Sequence, residues 1–375
     1  MKTRVFKKLD SIIGRKTVML LPAPLYPETA SSVTSILIIR PGGIGDAVLL
    51  APAIKSFKSS YSNAHITILA EKRNSAVFSF IPDVDTVLCF DRPYEFFQVL
   101  LGKFDVVIDT EQWHRLSAVV TRLIRSPIKI GFDTNERRRM FTHCVRYDPC
   151  VYEVDNFPAL LKPLGIVCQR DIGSVTMILP LKSLSKAEQL LQPLCSDPFV
   201  VIFPGASTEE KRWGADRFRR VAEILSAFGV RIVVVGGKDD LKQGEVIAGG
   251  GLGLNLAGLT SLAETAAVIQ KSSLLLSGDS GVLHIAAGLG VPTVSLFGPG
   301  SVKKWAPRGE HHIVINKGLP CSPCTTFGNT PPCPNNNRCM KDITVDEVVN
   351  SVTMMLTSVG AMPSRCCKRD WIETR

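Results

Sequence analysis

The stretch Ser35-Ile36-Leu37-Ile38-Ile39-Arg40-Pro41-Gly42-Gly43-Ile44-Gly45-Asp46 decides the fold class. Ile36 to Ile39 is an apolar run of buried-strand length, the glycines supply a tight turn, and Ala47 to Phe57 has helical spacing. Strand, glycine turn and helix in that order open an α/β unit. Further apolar runs follow at Ile66 to Ala70, Thr86 to Phe90 and Val106 to Asp109, with helical patterns at Glu95 to Leu101 and Leu116 to Ile124. This alternation predicts a parallel sheet with helices on both faces.

The pattern then restarts. Gly173 to Pro198, with Pro180, Pro193 and Pro198 around a short helix, reads as a linker. Strands are expected at Phe199 to Phe203, Val230 to Val235, Leu274 to Ser277 and Thr293 to Phe297. Helices are expected at Arg217 to Phe228, Leu262 to Lys271 and Val282 to Leu289. The expected division is a basic extension over 1–34, one Rossmann-like domain over 35–180, a second over 181–345, and a C-terminal helix and tail over 346–375. A length of 375 residues suits two such domains.

Composition narrows the function classes. Hydrophobic residues make up 45% and charged residues 21%, which is ordinary for a globular chain. The net charge of +10 favours anionic partners. No apolar run has the length of a membrane span, and the N-terminal run Val18 to Leu21 stops at Pro22, too short for a secretory signal. The expected location is the cytosol, with peripheral contact at the inner face of the cytoplasmic membrane left open. In the extension, Val5, Leu9, Ile12 and Ile13 fall at helical spacing among Lys2, Arg4, Lys7, Lys8, Arg15 and Lys16. Such a helix either lies on a membrane surface or packs on the first domain with a solvated basic face.

Three turns lie where ligands bind in such sheets, at the carboxyl ends of strands beside helix N-termini. Gly42 to Asp46 is neither a Walker motif nor GxGxxG, and Asp46 could be a simple helix cap. In Gly278-Asp279-Ser280-Gly281, Ser280 and Gly281 can donate to a pyrophosphate, while Asp279 needs another role, such as holding sugar hydroxyls. His284, one turn on, also reads as a satisfied core histidine. Pro204-Gly205-Ala206-Ser207-Thr208 followed by Lys211-Arg212-Trp213 offers hydroxyls and an ammonium to a diphosphate, or is a solvated basic loop with Trp213 packed inward.

Taken in order, these segments resemble glycosyltransferase family 9, the lipopolysaccharide ADP-heptose heptosyltransferases. The likeness runs from about residue 35 to 355, with Ser277 to Ala287 the most specific motif and Phe297-Gly298-Pro299 completing it. It implies a GT-B fold, two Rossmann-like domains facing a central cleft. The N-terminal domain would take an anionic lipid-linked saccharide acceptor and the C-terminal one an ADP-sugar. It further implies an inverting reaction with neither cofactor nor metal. By the resemblance, Asp46 matches the base and Lys211 the phosphate-binding cation. Ser207, Thr208, Asp279, Ser280, Gly281 and His284 would line the donor site. Asp240 would contact the ribose where the family often has Glu, and Leu259 would lie near the base. Arg137, Arg138 and Arg139 could hold acceptor phosphates, or form a surface charge run. Val345 to Leu356 could be the last helix that crosses back in that fold.

Cys321, Cys324, Cys333 and Cys339 cluster in a loop rich in Pro and Asn. Irregular spacing favours a loop staple, reduced or disulfide-linked, over a zinc site, with iron–sulfur last. Three other functions share parts of the pattern. An NAD(P)-dependent oxidoreductase would need GxGxxG, which is missing. A basic, zinc-stabilised nucleic-acid-binding protein would need a reading helix or an aromatic RNA-binding pattern, so no nucleic-acid partner is expected. A GT-B nucleotide-sugar epimerase would act without an acceptor.

Overall fold

A computed structural model describes residues 10–24, 33–168, 177–194 and 197–362. The chain divides into two compact units, Met1–Asp171 with Thr176–Ile178, and Ile172–Val175 with Leu179–Arg375. Part of the expected linker, 173–176 and 195–196, and the first nine residues lie outside the described residues. Each unit holds a six-stranded sheet in which every pair is parallel.

In the first unit the strands are β1 Ser35–Arg40, β2 His65–Ala70, β3 Thr86–Cys89, β4 Val106–Asp109, β5 Ile128–Phe132 and β6 His143–Val145, in the order β3-β2-β1-β4-β5-β6. Its helices are α1 Arg15–Leu20, α2 Ile44–Leu49, α3 Ala51–Ser60, α4 Ser75–Phe78, α5 Pro93–Leu101, α6 Arg115–Leu123 and α7 Glu153–Ala159. Side-chain alternation sends Leu37 and Ile39 to one face, against Val99 of α5 and, just past α6, Ile124. Ile38 and Ile108 face the other layer, with Ile54 of α3 and Phe157 of α7. The single helix expected over Ala47 to Phe57 is two, because Pro52 opens a fresh first turn in α3 and has no N–H to continue the old ladder.

Strands β5 and β6 escape sequence reading. Lys129 and Gly131 interrupt the apolar run of β5, and both have tertiary reasons. Lys129 turns its ammonium back to the carbonyls of Ile124 (2.6 Å) and Arg122 (3.3 Å) at the end of α6. Burial drops its pKa to about 8, with Arg122 adding to the effect. A side chain at Gly131 would collide with the Phe141 ring. The described part of the basic extension packs on its own unit. Val18 joins Ala118 and Met140, and the Asp10 carboxylate accepts from the amides of Arg115 (2.8 Å) and Leu116 (2.7 Å), capping α6 from a distance.

In the second unit the strands are β7 Phe199–Phe203, β8 Arg231–Val234, β9 Leu254–Asn255, β10 Leu274–Gly278, β11 Thr293–Phe297 and β12 His312–Asn316, in the order β12-β11-β10-β7-β8-β9. Its helices are α8 Leu181–Leu191, α9 Ala215–Ala227, α10 Leu241–Ala248, α11 Leu262–Gln270, α12 Gly281–Gly288, α13 Val302–Trp305, α14 Arg338–Lys341 and α15 Val345–Ser358. The last helix, α15, closes this unit's own core. Val348, Val352 and Met355 pack with Val221 and Leu225 of α9 and Leu276 of β10. Trp213 is a core residue, stacked edge-on to Phe218 at 5.0 Å and donating to the Ile343 carbonyl at 3.0 Å.

His312 of β12 lies 2.9 Å from the Thr293 hydroxyl, and burial, helped by His311, lowers its pKa to about 4. The unfolded chain therefore binds a proton that the folded one does not between pH 6.5 and about 4. Stability from this residue is full above pH 6.5 and is lost on acidification through that window. Acidification from pH 7 to 5 is expected to cost wild type about 1–2 kcal/mol more than His312→Gln in urea unfolding of the second unit. Parallel pH dependence in the two proteins would refute this.

Candidate active site

Both sheets reverse strand order beside their first strand, between β1 and β4 and between β7 and β10. At that reversal the connections leave in opposite directions and open a crevice at the carboxyl edge. The residues singled out from sequence cluster at these two edges.

In the first unit, β1 ends at Arg40 and runs through the glycine turn into α2. Gly42 has φ +110°, a left-handed value that favours glycine, and its amide donates to Glu71 Oε1 at 3.0 Å. Asp46 sits in the first turn of α2, partly exposed, two residues past the helix's first residue, whose N-cap is Gly43. Beneath it lies Arg40, buried, with Nη2 3.8 Å from Asp46 and 3.7 Å from Glu111. Arg40 also donates to the carbonyls of Pro41 (2.7 Å) and Thr110 (2.8 Å), so its guanidinium is fixed by backbone.

Glu111 follows the end of β4 and accepts from the amides of Gln112 and Trp113, each at 3.0 Å. Burial pushes its pKa up, but Arg40, His114, Arg137 and the Trp113 amide outweigh that and hold it below the ordinary range. Tyr147 donates to Glu153 Oε2 at 2.9 Å, and Gln112 to Glu153 Oε1 at 2.8 Å. Burial, the Glu153 carboxylate and then Asp46 push the Tyr147 phenol well above its usual pKa, so it remains a hydroxyl donor. Arg40, Glu111, Tyr147 and Glu153 were not chosen from sequence. The available signal was ionisable residues at the carboxyl ends of buried strands, Arg40 on β1 and Asp109-Thr110-Glu111 after β4.

The three arginines separate. Arg137 is fully buried, 2.6 Å from Asp109, with a second donation to the Glu111 carbonyl and its guanidinium 5.2 Å from the Phe141 ring centroid. With its charge spent inside the unit, it does not face solvent as an acceptor-binding arginine must. Arg138 and Arg139 are exposed. The short 3₁₀ turn Asn135–Met140 causes the split, since three residues per turn send adjacent side chains in different directions.

In the second unit, Lys211 and Asp279 meet. Lys211 Nζ is 2.6 Å from Asp279 Oδ2, and both side chains are largely buried. They come from the loops after β7 and β10, which are neighbours in the sheet. Gly300 makes room for Asp279, because a side chain there would overlap its carboxylate. Ser280 caps α12, accepting from the Leu283 amide at 3.3 Å and lying 2.9 Å from the Ser277 hydroxyl. Gly281 is the first residue of α12, so the positive end of that helix dipole lies beside the Lys211–Asp279 pair. Thr208 keeps its hydroxyl oxygen buried without a hydrogen-bond partner among the described residues, whereas Ser207 is exposed. A buried hydroxyl without a protein partner is free to donate to a ligand oxygen.

Asp240 is buried and accepts from the Gly237 amide at 2.9 Å, between Gly205 and Gly236, where any side chain would strike it. His284 is buried in α12, its ring 6.5 Å from that of Trp305. Leu259 is 64% exposed on the loop after β9. The four clustered cysteines are free thiols, and no group of three or more His, Cys, Asp or Glu among the described residues is arranged to hold an ion. Cys339 is buried in the second core, and the Asn337 amide donates to Cys333 Sγ at 3.3 Å.

The arginine split has a measurable consequence. Arg137→Leu strands Asp109 as an uncompensated buried carboxylate and is expected to cost about 3–5 kcal/mol in urea unfolding. Arg138→Ala and Arg139→Ala should each stay within about 0.5 kcal/mol of wild type. Similar losses in all three variants would contradict the burial difference.

Residues 94–333 match the glycosyltransferase family 9 (heptosyltransferase) profile. The chain is 29% identical over 293 residues to lipopolysaccharide heptosyltransferase 3 of Escherichia coli, covering 72% of this chain and 85% of that protein. A family 9 glycosyltransferase from Veillonella parvula superposes with a TM-score of 0.73 at 21% identity, over 87% of this chain and 98% of that one. The Escherichia coli ADP-heptose heptosyltransferase II superposes with a TM-score of 0.72 at 21% identity, over 88% and 100%. The match spans well over half the sequence and the fold agrees over most of its length: the chain belongs to glycosyltransferase family 9, with a GT-B-type pair of α/β units.

Proposed function

We propose that this heptosyltransferase moves a heptose from an ADP-heptose onto the inner core of a lipopolysaccharide, with inversion at the anomeric carbon. The observation that carries the donor side is the Lys211–Asp279 pair at the head of α12, beside the orphaned Thr208 hydroxyl. A diphosphate suits that group of donors. The Lys211 ammonium has three N–H bonds and gives one to Asp279, leaving two for phosphate oxygens. Asp279, neutralised by Lys211, no longer repels the phosphates and has an oxygen free for a sugar hydroxyl. Ser280 and Gly281 add backbone donors and the helix dipole. ADP is named as the nucleotide because the lipopolysaccharide heptosyltransferase of the same fold works from ADP-heptose.

The acceptor side rests on Asp46. Its carboxylate takes the proton from an acceptor hydroxyl as that oxygen bonds to the anomeric carbon. The carbon–oxygen bond to ADP breaks, and its electron pair leaves on the β-phosphate, where Lys211 and the α12 N-terminus meet the charge. Arg40, pinned by backbone and shared with Glu111, lies 3.8 Å from the carboxylate and orients it. Arg138 and Arg139 remain available for acceptor phosphates.

ADP release from ADP-heptose with a purified inner-core acceptor tests these roles. Asp46→Asn is expected to lower kcat about 10²–10⁴-fold while leaving donor KM within about threefold. Near-normal turnover in that variant would end the base assignment. Lys211→Ala should lower kcat and weaken ADP binding together, and Thr208→Val should reduce the ADP-induced thermal shift. Activity is expected to persist in EDTA; its loss, restored by a divalent cation, would show that the protein alone does not carry the leaving-group charge.

A further inference from the structure

We propose that the outward face of the helix layer formed by α5, α6 and α1 is a docking surface for an anionic lipid bilayer. Helix α5 has two apolar faces. Phe96, Val99 and Leu100 pack into the sheet core. Tyr94, Phe97 and Leu101, at positions i, i+3 and i+7, point the other way and are 83%, 60% and 76% exposed. A nine-residue helix needs only one apolar stripe to fold onto its sheet, and the second stripe is left largely exposed, with Phe97 touching the Phe96 ring beside it.

The neighbouring helices extend the same surface. Residues 120 and 124 of the α6 segment share the core cluster with α5, and α1 packs on the far side of α6 through Val18, Ala118 and Val119. The three helices therefore lie side by side over one sheet face. Leu123 of α6 and Met19 and Leu20 of α1 are also exposed, and Leu20 is among the most exposed apolar residues described. Exposed apolar side chains on three neighbouring helices of one layer point to an interaction surface.

Charge selects the partner. Lys16, Lys103 and Arg125 are exposed around these helices. Neither Arg15–Leu20 nor Arg115–Leu123 contains an acidic residue. The acid of α5, Glu95, is held by Arg92 (2.7 Å) and the Cys89 amide (2.6 Å). Asp91, just before α5, accepts from the Lys72 amide at 3.0 Å. Arg15 is answered by Glu136 within the unit and is not counted. Aliphatic side chains and aromatic rings beside cations that have no acidic partner among the described residues fit the interface of a bilayer with anionic headgroups, where Tyr and Lys keep their polar ends in the headgroup layer. A second copy fits worse, because a two-fold contact through this face would bring like cations together.

The inference rests on the surface of the first unit alone and does not depend on the donor or the acceptor. Its test uses the full-length protein in flotation with vesicles of phosphatidylcholine alone, or with about a third phosphatidylglycerol. Wild type is expected to float with the anionic vesicles, weakly with the neutral ones, and less as salt rises. Combined Tyr94→Ser, Phe97→Ser and Leu101→Ser should reduce partitioning by about tenfold or more. Combined Lys16→Glu, Lys103→Glu and Arg125→Glu should abolish the preference for anionic lipid. Since all six side chains are exposed, thermal unfolding and turnover of a lipid-free soluble acceptor should be unchanged. Equal flotation of wild type and the serine variant, or no flotation of wild type, overturns the proposal. So does a wild-type dimer in sedimentation that the serine variant loses, which would give the face to a second copy. Vesicle binding that follows the variants in a protein without heptosyl transfer would leave the surface standing and refute only the catalytic reading.

Discussion

The positive charge of Arg40 is almost wholly withdrawn from water at the carboxyl end of β1, and the first unit's site is organised around answering it. An isolated buried guanidinium would be ruinous, so the carbonyls of Pro41 and Thr110 and the carboxylates of Glu111 and Asp46 converge on it. The convergence is possible only because β1 and β4 are neighbours although far apart in sequence. The same junction places Asp109 against Arg137, so a second buried cation is neutralised alongside the first. The result is a stiff bed of charge with one partly exposed carboxylate, Asp46, on its solvent side.

The second unit solves a similar problem differently. There the acid, Asp279, is held by a flexible lysine rather than a fixed arginine, and backbone donors stand beside it. A lysine can share its ammonium with an arriving anion, whereas the forked contacts of Arg137 are committed. The contrast fits a proton-accepting carboxylate on rigid support in one unit and an anion-accepting group in the other. Small residues set both: Gly42 frees the turn before Asp46, and Gly300 and Gly205 leave space for Asp279 and Asp240.

The α5–α6–α1 layer shows how one helix face can be fixed by folding and the opposite face left to function. Val99 and Ile124 pack on the sheet, while Tyr94, Phe97 and Leu101 stay largely exposed. The Asp10 cap on α6 ties the described part of the N-terminal extension into that layer.

Sequence alone determined the elements with long, uniform apolar runs, because burial on both faces favours apolar side chains throughout a strand. β1, β2, β4, β7, β10 and β11 were legible for that reason, as were the glycine turns that follow several of them. β5 was not, since Lys129 and Gly131 make sense only beside the carbonyls of α6 and the ring of Phe141, and the edge strands β6, β9 and β12 were not read either. Motif order likewise exposed Asp46, Lys211 and Asp279 as candidates. Tertiary structure decided what each could do. It paired Lys211 with Asp279, took Arg137 into the core, left Arg138 and Arg139 outside, and revealed the Arg40 network. A side chain's charge is written in the sequence, but whether water or another side chain answers that charge depends on neighbours that only the folded sheet brings together.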